Sequence, residues 1–406
     1  MRMVAAGTDI SHLVNSAAYN PIDAEMLMGL SIIFQLTGNR ETGLELQEKA
    51  LALQQLYQLP SATHPTGIRL LAIMRPGDMM DNTPLDFLLE DSDVALDLLY
   101  TSIDRPLPAT LPEHDLLIVA IAESAQNQPL LKQVSDNIKL SSRPVLNRPE
   151  HIACLARDSV SCLLKSIAGI EIPATVQIDR KSLQQIYRGE KFIISLAIDG
   201  DFPIIVRPVG SHAGKGLAKL DNPAGILAYL ETNQENIFHT ARFVDYKSAD
   251  GLYRKYRITL IDGQPFVCHM AISEDWMIHY KNAGMSESAA KRDEEASFMA
   301  NFDADFAQKH KDAFRLIHER LQLNYLVIDC GENHHGELLI FEADNIGFVH
   351  AMDPVDIYPY KRPQMRKVFD AFYAMLRKSM LNGEHYAALL PIETPSSHSS
   401  RCYCSG

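Results

Sequence analysis

Hydrophobic positions along the chain change period several times. From Asp23 to Leu59 they recur at helical spacing: Met26, Leu27, Leu30, Ile33 and Phe34 share one face. Thr37-Gly38-Asn39 interrupts the pattern, and Leu44, Leu46, Ala50, Leu51 and Leu53 resume it before Pro60. Two helices in a hairpin are predicted. Small or apolar residues stand at Leu30, Gly43 and Ala50, but no second copy of the pair follows, so a plain packed hairpin and a peptide-binding or dimerising one both stay open.

From Ile68 the pattern becomes short apolar runs of strand length: Ile68–Ile73, Ala95–Tyr100 and Asp115–Ala120. Helical stretches are expected at Thr83–Leu89 and Gln128–Ile138. Such alternation predicts a small α/β layer with a parallel sheet. Pro144–Pro149 reads as an extended connector, and a helix is expected from Glu150 to about Ala168, capped by Gly169. Strands dominate from Thr175 to Phe348, with helices at Ala224–Thr232 and Phe306–Leu321, and a last helix runs from Pro363 to about Leu381. The Ser-rich end, Glu393 to Gly406, reads as a disordered tail, and its Cys402 and Cys404 are too few for a metal site.

The chain of 406 residues is 46% hydrophobic and 22% charged, which excludes wholesale disorder. Its formal charge of −13 argues against nucleic acid as a partner. No apolar run reaches membrane-spanning length, Met1–Asn20 lacks the regions of a signal peptide, and Cys154, Cys162, Cys268 and Cys330 are scattered. A cytoplasmic protein with no membrane partner is expected.

Three stretches carry candidate chemistry. The first is the apolar strand Phe202–Val206 ending in Arg207, then Pro208-Val209-Gly210-Ser211-His212-Ala213-Gly214-Lys215-Gly216. Glycines let backbone N–H groups approach an anion, and the flanking Arg207 and Lys215 supply charge; the spacing is not that of a P-loop. A simple hairpin turn is the competing reading.

The second is a hairpin in which Leu323–Gly331 and Gly336–Asn345 flank the polar loop of His334 and His335, itself read as a solvated turn. Alternation puts Glu342 and Asp344 on one face, and a symmetric turn places Asp329 opposite Glu342. Three carboxylates so close repel unless a cation holds them, and hard oxygen ligands suit Mg²⁺.

The third is the middle segment. Phe243, Val244 and Asp245 offer walls and backbone groups to a base. Lys255 and Arg257 align on one strand face. His269, Ser273, Trp276, His279, Tyr280 and Asn282 line a polar, aromatic loop that fits either a substrate or a domain joint.

In this order, the glycine loop, basic strand and carboxylate hairpin resemble the ATP-grasp superfamily over residues 66 to 380. The type is that of glutathione synthetase and ribosomal-protein glutamate ligase, in a group with an N-terminal tetratricopeptide-like segment. Stretches like Arg207–Gly216, Arg254-Lys255-Tyr256-Arg257 and His269–Ser273 carry the likeness. The resemblance implies a mixed α/β and α+β chain. Helices would occupy 1–64, a pre-ATP-grasp domain 65–146, a two-lobed ATP-grasp domain 147–385 and a tail 386–406.

It also implies an ADP-forming ligase that joins a carboxylate substrate to an amine acceptor, a peptide or protein tail among the candidates, through an acyl phosphate. Its needs are ATP and Mg²⁺, and a homo-oligomer is usual. By the same resemblance Asp329, Glu342 and Asp344 hold the metal, while Arg207, Arg257 and Lys215 act on the phosphates. Gly210, Ser211, His212, Gly214 and Gly216 close over them. A non-catalytic ATP-binding scaffold is the alternative. Three positions depart from the pattern: Arg207 replaces a lysine, Arg157-Asp158-Ser159 stands where a second lysine is common, and Asp344 replaces an asparagine that Asn345 follows.

Overall fold

The structure is a computed structural model, and it describes residues 23–62, 66–139, 141–196, 198–211 and 214–387. The readings of the first twenty residues, of His212 and of the tail with Cys402 and Cys404 fall outside these. The chain divides into two compact units. One comprises residues 1–153, 323–326 and 344–406, and the other 154–322 and 327–343. The four-segment division read from the sequence cuts the chain differently.

In the first unit, helices Ala24–Leu36 and Arg40–Leu53 form the expected hairpin. Asp23 caps the first through a bond from Met26 N–H (3.0 Å). Gly43 is needed where the helices meet, since a Cβ there would lie 2.9 Å from Ser31 O and 2.7 Å from Gln35 Cγ. The second helix ends sooner than its pattern suggested. Leu56–Leu59 is a strand, β1, and Pro60 explains why: the residue before proline is biased to extended backbone.

The sheet of this unit adds β2 (Ile68–Met74), β3 (Val94–Tyr100), β4 (Leu116–Val119) and β5 (Val145–Leu146), in the order β1-β3-β2-β4-β5. β2 pairs in parallel with β3 and β4, and β4 with β5, while β1 is antiparallel on the edge. Leu116 to Val119 are wholly buried, as a parallel sheet covered on both faces requires. The Pro144–Pro149 connector supplies β5. Helix Gln128–Ile138 is as expected, and Lys361–Ala387 is longer than expected; its Val368, Phe372 and Leu376 are buried.

In the second unit, β6 (Ile170–Glu171) precedes a four-stranded antiparallel sheet of β7 (Val176–Asp179), β8 (Ile204–Pro208), β9 (Ala218–Leu220) and β10 (Ile237–Arg242), ordered β7-β10-β8-β9. Helices Arg180–Tyr187 and Ala224–Thr232 bury Leu183, Ile226 and Tyr229 against Ile204, Val206 and Phe238. β11 (Tyr253–Ile261), β12 (Gln264–Ser273), β13 (Tyr325–Glu332) and β14 (Leu338–Asp344) form a second sheet with β6, ordered β12-β11-β13-β14-β6. Helices Ala289–Asn301, Phe306–Lys309 and Lys311–Leu321 lie beside it, with the Tyr256 ring tilted against Phe298 and Phe306.

Several helices differ from expectation. The helix expected at 150–168 is two, Pro149–Ile152 and Arg157–Leu164, and Gly169 (φ +81°) makes a turn into β6 instead of a cap. The helix expected at 306–321 breaks at His310. Arg180–Tyr187 and Ala289–Asn301 had no expectation, for a physical reason. The first is barely two turns long, and the second buries only Glu295 and Met299, too few for a helical period. No helix among the described residues is long and apolar enough to cross a membrane.

Candidate functional site

The candidate site lies in the second unit and begins with β11. Its charges divide between the two faces of the strand. Arg254 bonds Glu294 Oε1 (2.5 Å) and Asp250 Oδ2 (2.6 Å), and Tyr256 packs among the helix aromatics. Lys255 and Arg257 both reach Asp329, which is 5% exposed. Lys255 Nζ stands 2.7 Å from Oδ2, and Arg257 grips both oxygens, through Nε at 2.8 Å and a terminal nitrogen at 3.0 Å. Burial alone would raise the carboxyl's pKa. Arg257 and Lys255 outweigh that and hold it far below the usual carboxylate range.

Glu342 on β14 accepts a bond from Arg157, whose guanidinium also donates to Phe341 O (3.0 Å). Its pKa is lowered despite burial, chiefly by Arg157, with Asp329 opposing and Arg207 and Lys255 assisting. Arg207, at the end of β8, donates through Nε to Ser211 Oγ (3.2 Å) and also bonds the Ser211 carbonyl. Burial, then repulsion from Arg157, pushes its pKa down to about 10, so it stays cationic at neutral pH. Four cations therefore face two carboxylates.

Two histidines complete the group. His239 on β10 stands in register between Gln177 and Arg207, and its Nδ1 is buried with no hydrogen-bond partner among the described residues. Burial pushes its pKa down to about 4, with Asp158 opposing and Arg157 and Arg207 adding to the fall. Charging this imidazole costs stability, and the sign follows. The folded pKa lies below the unfolded value near 6.5, so stability is lost as pH falls from about 6.5 toward 4, by up to about 3 kcal/mol. Urea denaturation at pH 7 and pH 4.5 is expected to show a smaller acid loss in His239→Gln than in the parent chain; equal losses would contradict it.

His279 is half-buried, and its Nε2 also lacks a partner among the described residues. Burial lowers its pKa, Lys255 lowers it further, and Asp329 and Glu342 oppose. The glycine loop closes onto it. A Cβ on Gly214 (φ +72°) would lie 2.4 Å from His279 Nε2, so only glycine fits there.

The structure thus brings together Arg207, Ser211, Gly214, Lys255, Arg257, His279, Asp329 and Glu342. Gly210 and Gly216, both at positive φ, shape the loop, but Lys215 stands exposed on it. Phe243 meets Trp276 edge to face (5.7 Å), with Lys219 Nζ 4.5 Å over its ring. Phe243 N–H is taken by Pro203 O (2.9 Å), and the next residue, Val244, is half-buried. Asp245 is exposed and accepts Lys247 N–H (3.1 Å).

Several loop residues serve the fold. Tyr280 donates to Glu295 Oε2 (2.8 Å) and sets its ring at a tilt against His269 (4.8 Å between centroids), Asn282 accepts His279 N–H (2.8 Å), and Ser273 accepts Asp275 N–H (3.1 Å).

Asp329, Glu342 and Asp344 are the expected metal ligands. Among the described residues no group of three His, Cys, Asp or Glu side chains is spaced for a metal ion. Both Asp329 oxygens are engaged by Arg257 and Lys255, Oδ1 by one nitrogen and Oδ2 by two. Asp344 belongs to the first unit and accepts the N–H of Ile346. Asn345 is fully buried: its side-chain nitrogen donates to Ile121 O (3.0 Å) and its backbone carbonyl accepts from Thr83 Oγ1 (2.8 Å), while its Oδ1 has no hydrogen-bond partner among the described residues.

Sequence reasoning did not place two members of the site. Arg157 was noted only as the absence of a lysine; a cation at the first turn of a helix after the connector is the signal that marks it. His239 left no signal, because only the pairing of β10 with β8 sets it beside Arg207.

No protein-family model matches this chain, and no curated protein matches it. Solved structures similar to it include a D-alanine–D-alanine ligase from Bacillus anthracis complexed with ATP. The identity is 12% and the TM-score 0.45, over 79% of this chain and 99% of that one. A RimK domain ATP-grasp protein from Sphaerobacter thermophilus is 14% identical with a TM-score of 0.40, over 77% and 99%. A D-alanine–D-alanine ligase from Coxiella burnetii is 8% identical with a TM-score of 0.47, over 79% and 98%. One of the three bears the name of the superfamily that the sequence resembles. At these identities and scores the likeness carries no argument about activity.

Proposed function

We propose that this protein is an ATP-dependent carboxylate–amine ligase of the ATP-grasp type that releases ADP. One observation carries the reading. A chain of net charge −13 gathers Arg157, Arg207, Lys255 and Arg257 around two carboxylates beside a glycine loop. Repulsion between Arg157 and Arg207 is relieved by a bound polyanion, and cations held in place at a transferring phosphoryl group stabilise its charge strongly.

In this reading Arg157 and Arg207 hold the phosphates and Ser211 orients Arg207. The 210–216 loop, closing on His279, keeps water away. Phe243, Val244 and Trp276 border the base. A carboxylate oxygen of the substrate attacks the γ-phosphorus as the bond to ADP breaks. The acceptor nitrogen then attacks the acyl carbon, losing a proton as inorganic phosphate leaves. Arg257 and Lys255 face the charge of the acyl phosphate. The acceptor is an amine on an amino acid, a peptide or a protein tail. No step is assigned to Mg²⁺, given how Asp329 is engaged.

That same engagement favours a second reading, a nucleotide-binding scaffold without turnover. ADP release from Mg²⁺-ATP against pooled amino acids and short peptides separates the two. The ligase is expected to release ADP and to lose about 100-fold or more in Arg257→Met, which removes a cation facing the acyl phosphate. A scaffold binds ATP, releases none, and keeps its ATP affinity in that variant.

A further inference from the structure

We infer that the first unit carries a separate binding site for a small carboxylic acid, with Arg75 as its anion ligand, at the carboxyl ends of β2, β3 and β4. A cavity of about 150 Å³ lies there, lined by Arg75, Ser102, Ile103, Gln126, Asn127 and Leu130. The three strands run in parallel. The chain passes from β2 to β3 on one side and then to β4 on the other, so the cavity sits where the strand order reverses. Crevices at such points are where open α/β sheets bind ligands. At about 30 Å³ per water, the space equals roughly five waters, which suits a small molecule and not a chain segment.

The loop that presents Arg75 is held from several sides. Buried Asn82 accepts Arg75 N–H (2.8 Å) and donates to Arg75 O (2.9 Å). Gln47 accepts Gly77 N–H (2.7 Å) and donates to Gly77 O (3.1 Å), while Gln35 accepts Met79 N–H (3.0 Å). Asp81 accepts Asp78 N–H (2.7 Å), and Arg40 Nε pairs with Asp78 (2.6 Å). Gly77 (φ +143°) has no room for a side chain, since a Cβ would stand 2.1 Å from Asp81 Oδ2.

Gln35, Arg40 and Gln47 all come from the N-terminal hairpin, which therefore braces this loop. Asp81 fixes one edge of the Arg75 guanidinium (3.1 Å) and offsets part of its charge. The other guanidinium nitrogens have no partner among the described residues. A planar fork held with an edge open matches a carboxylate. The N-terminus of helix Gln128–Ile138 opens on the same cavity, with Asn127 only 2% exposed.

That this acid is the ligase's carboxylate substrate rests on the preceding reading; the binding site does not. The test is calorimetric titration of the full chain with glycine, L-alanine, L-glutamate and succinate, against their methyl esters. Arg75→Gln and the cavity-filling Leu130→Trp are titrated alongside, and ADP release is measured on the same proteins. At least one acid is expected to bind with a dissociation constant below about 1 mM, and at least tenfold more weakly as its ester and in each variant.

Absence of any such binding, or binding indifferent to both substitutions, overturns the site. Acid binding that depends on Arg75 without ADP release leaves the site standing and the ligase reading fallen. Acid-stimulated ADP release indifferent to both substitutions does the reverse.

Discussion

Replacing Asp329 by asparagine is expected to lower the unfolding free energy by about 3 kcal/mol at pH 7. The side chain is 5% exposed and carries the counter-charge of Lys255 and Arg257. Removing one partner of a buried ionic group costs about 3–5 kcal/mol, because the remaining charges keep their desolvation without the attraction. The low end applies here, since the two cations keep 16% and 24% of their side-chain surface in water.

The pH dependence follows from the direction of the shift. The folded pKa lies below the unfolded value near 3.9, so the stabilisation is complete above that value and is lost only as pH falls through the folded one. The difference between parent and variant is therefore expected to stay level from about pH 5 to pH 8 in urea denaturation. Adding Lys255→Met to Asp329→Asn is expected to cost less than the sum of the two single losses, by about 1 kcal/mol or more. Strict additivity would show that the contact contributes nothing.

The second large effect is on the nucleotide. Arg207→Met is expected to reduce ADP release by about 100- to 1,000-fold, with weaker ATP binding, if the site transfers a phosphoryl group. Arg207 is 9% exposed, its guanidinium is held by Ser211, and its neighbour Arg157 repels it. An anion is the partner that this arrangement lacks. Arg207→Lys is expected to recover part of the loss, since lysine keeps the charge but not the planar fork. A binding assay with ATP alone separates lost affinity from lost turnover. Unchanged ATP affinity in Arg207→Met would place the triphosphate elsewhere and remove Arg207 from the site.

The chain's local signals were strong wherever the period was clean. The helical hairpin, the buried runs of the parallel sheet, helix Gln128–Ile138 and the hairpin of β13 and β14 were all legible, because burial on one face or on both leaves a period in the sequence. The glycine loop and the alignment of Lys255 with Arg257 were legible for the same reason, since strand alternation sets which side chains share a face. The strand at Leu56–Leu59 was hidden inside a helical pattern, because a neighbouring edge and Pro60 outweighed propensity. Ala289–Asn301 was hidden because its helix presents few apolar residues.

Pairing of charges was the part that no pattern carried. By itself the sequence determined which ionisable groups exist and, through alternation, that carboxylates end one hairpin and cations line one strand. Only the tertiary structure decided that Asp329 is taken by Lys255 and Arg257, that Glu342 is taken by Arg157, and that the Asn345 side-chain nitrogen is spent on Ile121. The physical reason is range. Backbone periodicity is a local property read over a few residues. An ion pair of the site joins groups 72 or 185 positions apart, and its partner is settled by whichever opposite charge the fold brings within reach.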